Sequence, residues 1–300
     1  LASPFVELRF ASDAAAAAEA IPDAEVVFAW DAALLEPAWS SARALRWVQS
    51  ARTGVEGILF PAFAGSDVTL TNVRGVYDAA TAEWAVGAIL AMAKDLAGLE
   101  RDRLGRRSLP REVELVAGRR LLVVGIGPIG RAVARAARAL GMEVRGVGRR
   151  GRPGDPVFGY VLGIDAILEG LAWADVVVDA LPATRATARV FDAAAFAAMR
   201  DGARFVNVGR GSTVDEVALA DALVSGHLAG AALDVYEREP LPPESPLWVL
   251  EQVILSPHAG AMFGGWREAV VEVFLENLDR FLRGAPLRNV VDKAAGFVVG

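Results

Sequence analysis

The spacing of three glycines gives the first chemical lead. The apolar run Leu121–Val124 leads directly into Gly125-Ile-Gly127-Pro-Ile-Gly130, and a helix-like pattern begins at once. In that setting each glycine has a job: a tight turn at Gly125, close approach of a pyrophosphate at Gly127, and close strand–helix packing at Gly130. Pro128 and Ile129 open the helix, whose first amides would face the anion. Helical spacing sets Val133, Ala137 and Leu140 on one face and Arg131, Arg135 and Arg138 on the opposite one. The run points to dinucleotide binding, against the bland alternative of a glycine-rich turn that binds nothing.

The next strand candidate, Glu143–Val147, ends at Gly148, where a site preferring NAD usually carries an Asp or Glu for the ribose hydroxyls. Arg149, Arg150 and Arg152 follow instead. Without the carboxylate nothing repels a 2′-phosphate, and a guanidinium can clamp it through charge-assisted contacts, so NADP (NADPH) is the expected cofactor, with NAD a second choice. A solvated basic loop is the other reading of these arginines. For proton transfer at neutral pH the chain offers two histidines. His227, in Val-Ser-Gly-His-Leu at an apparent helix end, reads as structural. His258 directly follows a short strand candidate, Val253–Leu255, at the edge where open α/β sheets bind ligands.

Such residues need a scaffold, and 300 residues suggest two lobes. With 54% hydrophobic residues the chain can build sizeable cores. A net charge of −6 argues against a general nucleic-acid or anionic-membrane binder, and zero cysteines exclude disulfides and Cys/His metal sites. No metal site is expected, and a reducing cytoplasmic setting fits. The apolar runs are too short to span a membrane. Leu1 is not methionine and no signal-peptide pattern is visible, so a native start upstream is expected.

Short apolar stretches near Phe5–Phe10, Glu25–Trp30, Ala44–Val48 and Val68–Leu70 suggest a small α/β first lobe. Tyr77–Leu99, without proline and dominated by Ala, Leu, Trp and Met, predicts one long, largely buried helix. The arginine-rich Glu100–Gly118 reads as an exposed connection. Beyond it, strand candidates at Leu121–Val124, Glu143–Val147, Asp175–Asp179, Arg204–Val208, Ala231–Val235 and Val253–Leu255 alternate with helix-length intervals. That alternation predicts βαβ units, hence a doubly wound parallel sheet. A final helix is expected from about Gly264 to Arg283.

Five segments in order carry a family resemblance: Gly125–Gly130, Leu181-Pro-Ala-Thr-Arg-Ala-Thr187, Asn207-Val-Gly-Arg-Gly-Ser-Thr-Val-Asp215, Gly230-Ala-Ala-Leu-Asp-Val-Tyr-Glu-Arg-Glu-Pro240 and Ser256-Pro-His-Ala-Gly260. Together with Trp47-Val-Gln-Ser50, Thr53-Gly-Val55 and Asn72-Val-Arg-Gly75, the chain resembles the D-isomer-specific 2-hydroxyacid dehydrogenases, particularly the glyoxylate/hydroxypyruvate reductase-like members. The resemblance implies an α/β fold with a Rossmann cofactor domain, about 96–267, and a smaller flavodoxin-like domain, 1–95 plus 268–300. It implies hydride reduction of a small 2-oxoacid to the D-2-hydroxyacid, and a homodimer.

By the same resemblance Arg210, Glu239 and His258 are the catalytic residues. A guanidinium can hold the substrate carboxylate and polarise its ketone, an imidazolium can protonate the nascent alkoxide, and a carboxylate beside the ring favours and orients the imidazolium. Asp234, Val208, Gly209, Gly260, Leu181, Pro182 and Thr187 are carried over as cofactor contacts, and Thr53, Gly54 and Val55 as a backbone anion nest for the substrate. Met262 stands where the family often has a short polar residue after His-x-Gly-x, with Phe263 and Trp266 nearby, and these side chains either admit an apolar or bulkier 2-oxoacid or pack the interdomain helix. Two rivals share the fold: a non-catalytic nucleotide-sensing protein, such as the corepressors resembling this family, and a formate dehydrogenase, which has glutamine where Glu239 stands.

Overall fold

A computed structural model describes residues 6–299. The chain divides into two compact units, one comprising Leu1–Val76 with Gly264–Gly300, the other Tyr77–Phe263.

The first unit is built on three parallel strands in the order β1 (Val26–Ala29), β2 (Trp47–Ser50) and β3 (Thr69–Thr71). Three of the four apolar stretches of the sequence become these strands. The fourth does not: Val6–Phe10 carries no strand and Phe10 is exposed, while Phe5 lies outside the described residues. The helix Trp266–Leu282, begun at Gly265 (φ +91°), packs its aromatic stripe on the sheet, with Phe274 stacked on Phe28 at 4.7 Å and on Trp47 at 5.6 Å. Beneath it a closed polar chain runs from Trp47 Nε1 to Thr71 Oγ1 (2.7 Å) and from Thr71 Oγ1 to Gln49 Oε1 (2.8 Å), which also accepts from Asn277 Nδ2 (3.1 Å). With Gln49 Nε2 donating to Ser50 O and Asn277 Oδ1 accepting from the Arg288 amide, the polar side-chain atoms of that group are paired, which offsets the cost of burying them.

The second unit has eight strands: β4 (Arg120–Val124), β5 (Glu143–Gly148), β6 (Arg152–Asp155), β7 (Gly159–Gly163), β8 (Val176–Asp179), β9 (Ala203–Asn207), β10 (Leu228–Leu233) and β11 (Val253–Leu255). Their order is β11-β10-β9-β8-β4-β5-β7-β6, all pairs parallel except β6 with β7. Alternate residues of β4 enter two different cores: Leu122 and Val124 join Val177, Leu171 and Phe196 on one face, Leu121 and Val123 join Val133, Ala137 and Ile89 on the other. Both faces are covered, which is the doubly wound Rossmann arrangement and explains why these strands read as unbroken apolar runs.

Several local expectations change. The long helix ends at Ala93, because Asp95 adopts a left-handed conformation (φ +47°) and caps a second helix, Leu96–Leu104, through the Gly98 amide (3.1 Å). That second helix occupies the start of the expected exposed connection. The Asp78–Ala93 helix shares a core with the Pro128–Ala139 helix, so the unit boundary falls at Val76 rather than near residue 95, and the chain leaves the unit at Phe263 rather than 267. Finally, Leu140 lies one residue past its helix and is exposed, and the β6–β7 hairpin was not foreseen. Among the described residues no helix is long and apolar enough to cross a membrane.

Candidate active site

The parallel register brings the carboxyl ends of β4, β8, β9, β10 and β11 to one edge, and the chain winds outward in opposite senses from the β4/β8 pair, so the loops there diverge. The glycine motif fills the loop after β4. Gly125 has φ +105° and a Cβ there would sit 2.5 Å from the Ala180 carbonyl oxygen; a Cβ at Gly130 would lie 1.9 Å from the Gly125 oxygen. The protein itself demands those two. Gly127 differs, since a Cβ would meet nothing within 4 Å, although the residue caps the helix that Pro128 and Ile129 open. A glycine with no internal reason, placed at first-turn amides, fits the close approach of a diphosphate.

At the end of β5 stand Gly148 and the exposed Arg149 and Arg150, with no carboxylate at the strand end. Arg152 is committed elsewhere: it pairs with Asp155 at 2.9 Å, while Arg131 grips the same carboxylate with two bonds of 3.0 and 2.9 Å. These bonds, led by that of Arg131, together with the amides of Val157 and Phe158, hold the Asp155 carboxyl well below its usual range.

The β8 and β9 loops touch. The Leu181 amide donates to Asp179 Oδ1 (2.9 Å), Val208 donates to the Asp179 carbonyl (3.0 Å), and a Cβ on Gly209 would lie 2.7 Å from the Leu181 oxygen. Pro182 and Thr187 close the β8 turn through a 2.6 Å bond from the Thr187 hydroxyl to the Pro182 carbonyl. Arg210 follows β9 in extended conformation, and its Nη1 donates to Gly209 O (2.7 Å). Its carbonyl accepts from Asn207 Nδ2 (3.1 Å) and lies 2.5 Å from the Thr213 hydroxyl. Gly211 lies so close to the backbone of Tyr236 that any side chain would overlap it, which joins the arginine turn to the loop after β10.

That loop carries Glu239, whose Oε1 accepts from the Tyr236 amide (3.2 Å) and whose Oε2 lies 2.8 Å from His258 Nδ1. Both side chains are partly exposed, at 38% and 41%. With Nδ1–H given to the carboxylate, Nε2 is the ring nitrogen left to face a ligand. His258 itself has φ +55°. The buried Asp234, at the end of β10, supports this bend: its Oδ1 accepts from Ser256 Oγ (2.6 Å) and from the amides of Ala259 and Gly260 (2.9 Å each). The Tyr236 hydroxyl, pushed up to about 12 chiefly by burial, donates to Ser256 O (2.8 Å).

His227 is a satisfied structural residue, its Nε2 bonded to the Phe196 carbonyl at 3.1 Å. In the first unit the Thr53 carbonyl accepts from Asn72 Nδ2 (2.7 Å), while no acceptor among the described residues takes the amides of Thr53, Gly54 or Val55. Trp266 packs against Trp30 in that unit at 5.5 Å; Met262 and Phe263 are exposed. The supporting roles of Ser256, Tyr236, Thr213 and Asp179 were not read from the sequence. Thr213, Tyr236 and Ser256 stand inside the quoted motifs without a role assigned to them, and Asp179 is the carboxylate that ends the otherwise apolar run Val176–Asp179.

The edge thus joins a glycine-rich strand–helix turn, a guanidinium and a histidine–carboxylate pair. Residues 86–260 match the model of the D-isomer specific 2-hydroxyacid dehydrogenase NAD binding domain. The chain is 34% identical over 263 residues to a glyoxylate reductase of Korarchaeum cryptofilum, covering 85% of this chain and 78% of that protein. Among solved structures it is similar to a D-isomer specific 2-hydroxyacid dehydrogenase family protein of Aeromonas salmonicida (36% identity, TM-score 0.83, covering 94% and 90% of the two chains). It also resembles an NADPH-dependent glyoxylate/hydroxypyruvate reductase of Sinorhizobium meliloti solved with NADP and sulfate (30%, TM-score 0.82, 91% and 86%). With an NAD(P)-binding domain of this kind and relatives of this likeness, the chain belongs to the D-isomer specific 2-hydroxyacid dehydrogenases.

Proposed function

We propose that the protein reduces a small 2-oxoacid, glyoxylate or hydroxypyruvate in the first place, to the D-2-hydroxyacid, with NADPH preferred over NADH. The observation that carries this reading is the 2.8 Å contact between His258 Nδ1 and Glu239 Oε2 at the ligand-binding edge of a dinucleotide sheet. The residues around Gly127 would hold the cofactor's diphosphate, and the cofactor supplies the hydride when bound. As charge develops on the ketone oxygen, His258 gives it the Nε2 proton, and Glu239 stabilises the imidazolium beforehand and keeps the ring oriented. Arg210 binds the substrate carboxylate and polarises the ketone through its fork of donors. In the reverse direction the neutral imidazole takes the hydroxyl proton. The acceptor-less amides of Thr53, Gly54 and Val55 are proposed as a further anion nest.

NADPH preference rests on Gly148 and the exposed Arg149 and Arg150. It is supported by the NADP complexes of the Sinorhizobium meliloti reductase and of a probable 2-hydroxyacid dehydrogenase of Rhizobium etli. A homodimer is proposed as well: Leu99, Leu104, Leu109 and Leu115, all exposed, crowd the segment after the first helix of the second unit, and light scattering would test it. The functional test is initial rates on glyoxylate, hydroxypyruvate, pyruvate, phenylpyruvate and formate (the last in oxidation), with each cofactor. Turnover of glyoxylate or hydroxypyruvate with NADPH is expected. Faster formate oxidation, or cofactor binding without turnover, overturns the reading.

A further inference from the structure

One fully buried carboxylate at this edge has no part in the mechanism above. Asp179 ends β8 at 0% exposure, and its Oδ1 accepts from the Leu181 amide at 2.9 Å. Its Oδ2 lies 2.5 Å from Thr213 Oγ1, and that same hydroxyl oxygen lies 2.5 Å from the Arg210 carbonyl oxygen. A threonine hydroxyl has one proton, and a carbonyl has none. If Asp179 were ionised, the single Thr213 hydroxyl proton would have to be shared between two acceptors, each 2.5 Å away. A proton on Asp179 Oδ2 completes the chain: Oδ2–H donates to Thr213 Oγ1, and Thr213 Oγ1–H donates to Arg210 O.

We propose that Asp179 is a positioning residue for the substrate anchor: as a neutral carboxylic acid it fixes the Arg210 backbone through the Thr213 hydroxyl and leaves the guanidinium charge undiminished for an anionic substrate. The second half rests on the reading that Arg210 holds the substrate carboxylate.

The surroundings favour the neutral acid. Burial pushes the Asp179 carboxyl up to about 7, opposed by the bonds from Thr213 and Leu181 and by the field of Arg210. The groups packed on it are Thr213 from the turn after β9, the backbone of Leu181 from its own loop and of Gly209 from the next; Arg210 is the charged group that acts on it. Raising the pH through this range therefore does two things. It withdraws the proton that completes the chain to Arg210, and it places a negative charge where it competes with a substrate carboxylate for the guanidinium.

Asp179→Asn is the conservative probe, because a carboxamide donates from Nδ2 to Thr213 and accepts from Leu181 at Oδ1 without titrating. Wild type minus D179N infrared difference spectra should show a carboxylic-acid carbonyl band near pH 6 that fades towards about pH 8.5. Oxamate, a non-reacting 2-oxoacid mimic, should bind the wild type roughly tenfold more weakly at the higher pH, beyond any change seen in D179N. Thr213→Val should weaken oxamate binding at both pH values and Thr213→Ser should restore it, which serves also if D179N does not fold. Absence of the acid band near pH 6 overturns the proposal. A band with identical oxamate pH dependence in wild type and D179N, or undiminished binding in T213V, overturns the positioning role. If no variant binds oxamate or turns over a 2-oxoacid, the parent reading of Arg210 fails and with it the positioning role, while the band still decides the protonation of Asp179.

Discussion

The Oδ1 atom of Asp234 accepts a hydrogen bond from the amide of Ala259 at 2.9 Å, so the bend that holds His258 hangs on a carboxylate of the neighbouring strand end. Ser256 Oγ and the Gly260 amide bind the same oxygen. Replacing Asp234 by alanine leaves these three donors without their acceptor and releases the one bend whose histidine is already in a left-handed conformation. We expect Asp234→Ala to lower kcat by about tenfold or more, while Asp234→Asn, which keeps an acceptor oxygen, loses several-fold less. Steady-state kinetics of the two variants side by side checks this; equal losses would mean the charge, not the acceptor, matters.

The His258–Glu239 pair predicts a different signature. His258→Gln removes the proton donor and should lower kcat by roughly 10²–10⁴ while NADPH binding, measured by fluorescence, stays within about threefold of wild type. Glu239→Gln keeps an acceptor for Nδ1 but not the negative charge beside the ring, so it should lower kcat for 2-oxoacid reduction by roughly tenfold or more while NADPH binding stays within about threefold of wild type. An unchanged kcat in E239Q would remove Glu239 from the proposed role.

Where the sequence was legible, the reason is local. Strands such as β4 and β8, apolar on both faces because helices cover both, announce themselves without knowledge of their partners. The β6–β7 hairpin was illegible because Gly151, Pro153, Gly154 and Gly159 read as turn residues, and what holds it is an ion cluster reaching back to Arg131 on a distant helix. The break at Asp95 was missed because the signal is a left-handed aspartate capping its own successor helix inside an otherwise helical composition. In the site, Arg210, Glu239 and His258 are singled out by the family resemblance that the ordered motifs carry. The Asp179–Thr213 contact joins positions far apart in sequence, and no spacing encodes it.

The two fates of the motif glycines give a test that separates ligand binding from folding. At Gly127 a methyl group meets nothing in the protein, whereas at Gly130 it meets the Gly125 carbonyl at 1.9 Å. Gly127→Ala should therefore leave Tm within a few degrees while weakening NADPH binding at least tenfold, because only the ligand's diphosphate needs that space. Gly130→Val should lose folded protein outright. Undiminished cofactor affinity in G127A would place the diphosphate elsewhere.

Cofactor choice turns on Arg149 and Arg150. Neutralising both, as Arg149→Ser with Arg150→Ser, should raise KM for NADPH by roughly ten- to a hundredfold and leave KM for NADH within about threefold. Adding Gly148→Asp would place a carboxylate at the end of β5, where it repels a 2′-phosphate and accepts from ribose hydroxyls; its Cβ would sit 2.7 Å from Ile126 Cδ1, a flexible side-chain end. An unaltered ratio of kcat/KM values for the two cofactors in the double variant would mean that these arginines are a solvated basic loop.

Stability should depend on pH through Asp155. Its carboxylate is buried, accepts from Arg131, Arg152, Val157 and Phe158, and has a pKa held below the unfolded value. The sign follows from linkage: the unfolded chain binds the proton more readily, so the stabilisation is complete at pH values above the unfolded carboxyl range near 4 and is lost as the pH falls below it. Asp155→Asn removes the charge that two guanidiniums share and should cost about 3 kcal/mol at pH 7. The gap between wild type and D155N in urea unfolding should then narrow as pH is lowered from about 6 to 3, because the wild type forfeits what the variant never had. A gap that stays constant over that range would show that Asp155 acts through shape and neutral hydrogen bonds alone, and that the hairpin beside Arg149 and Arg150 does not depend on its charge.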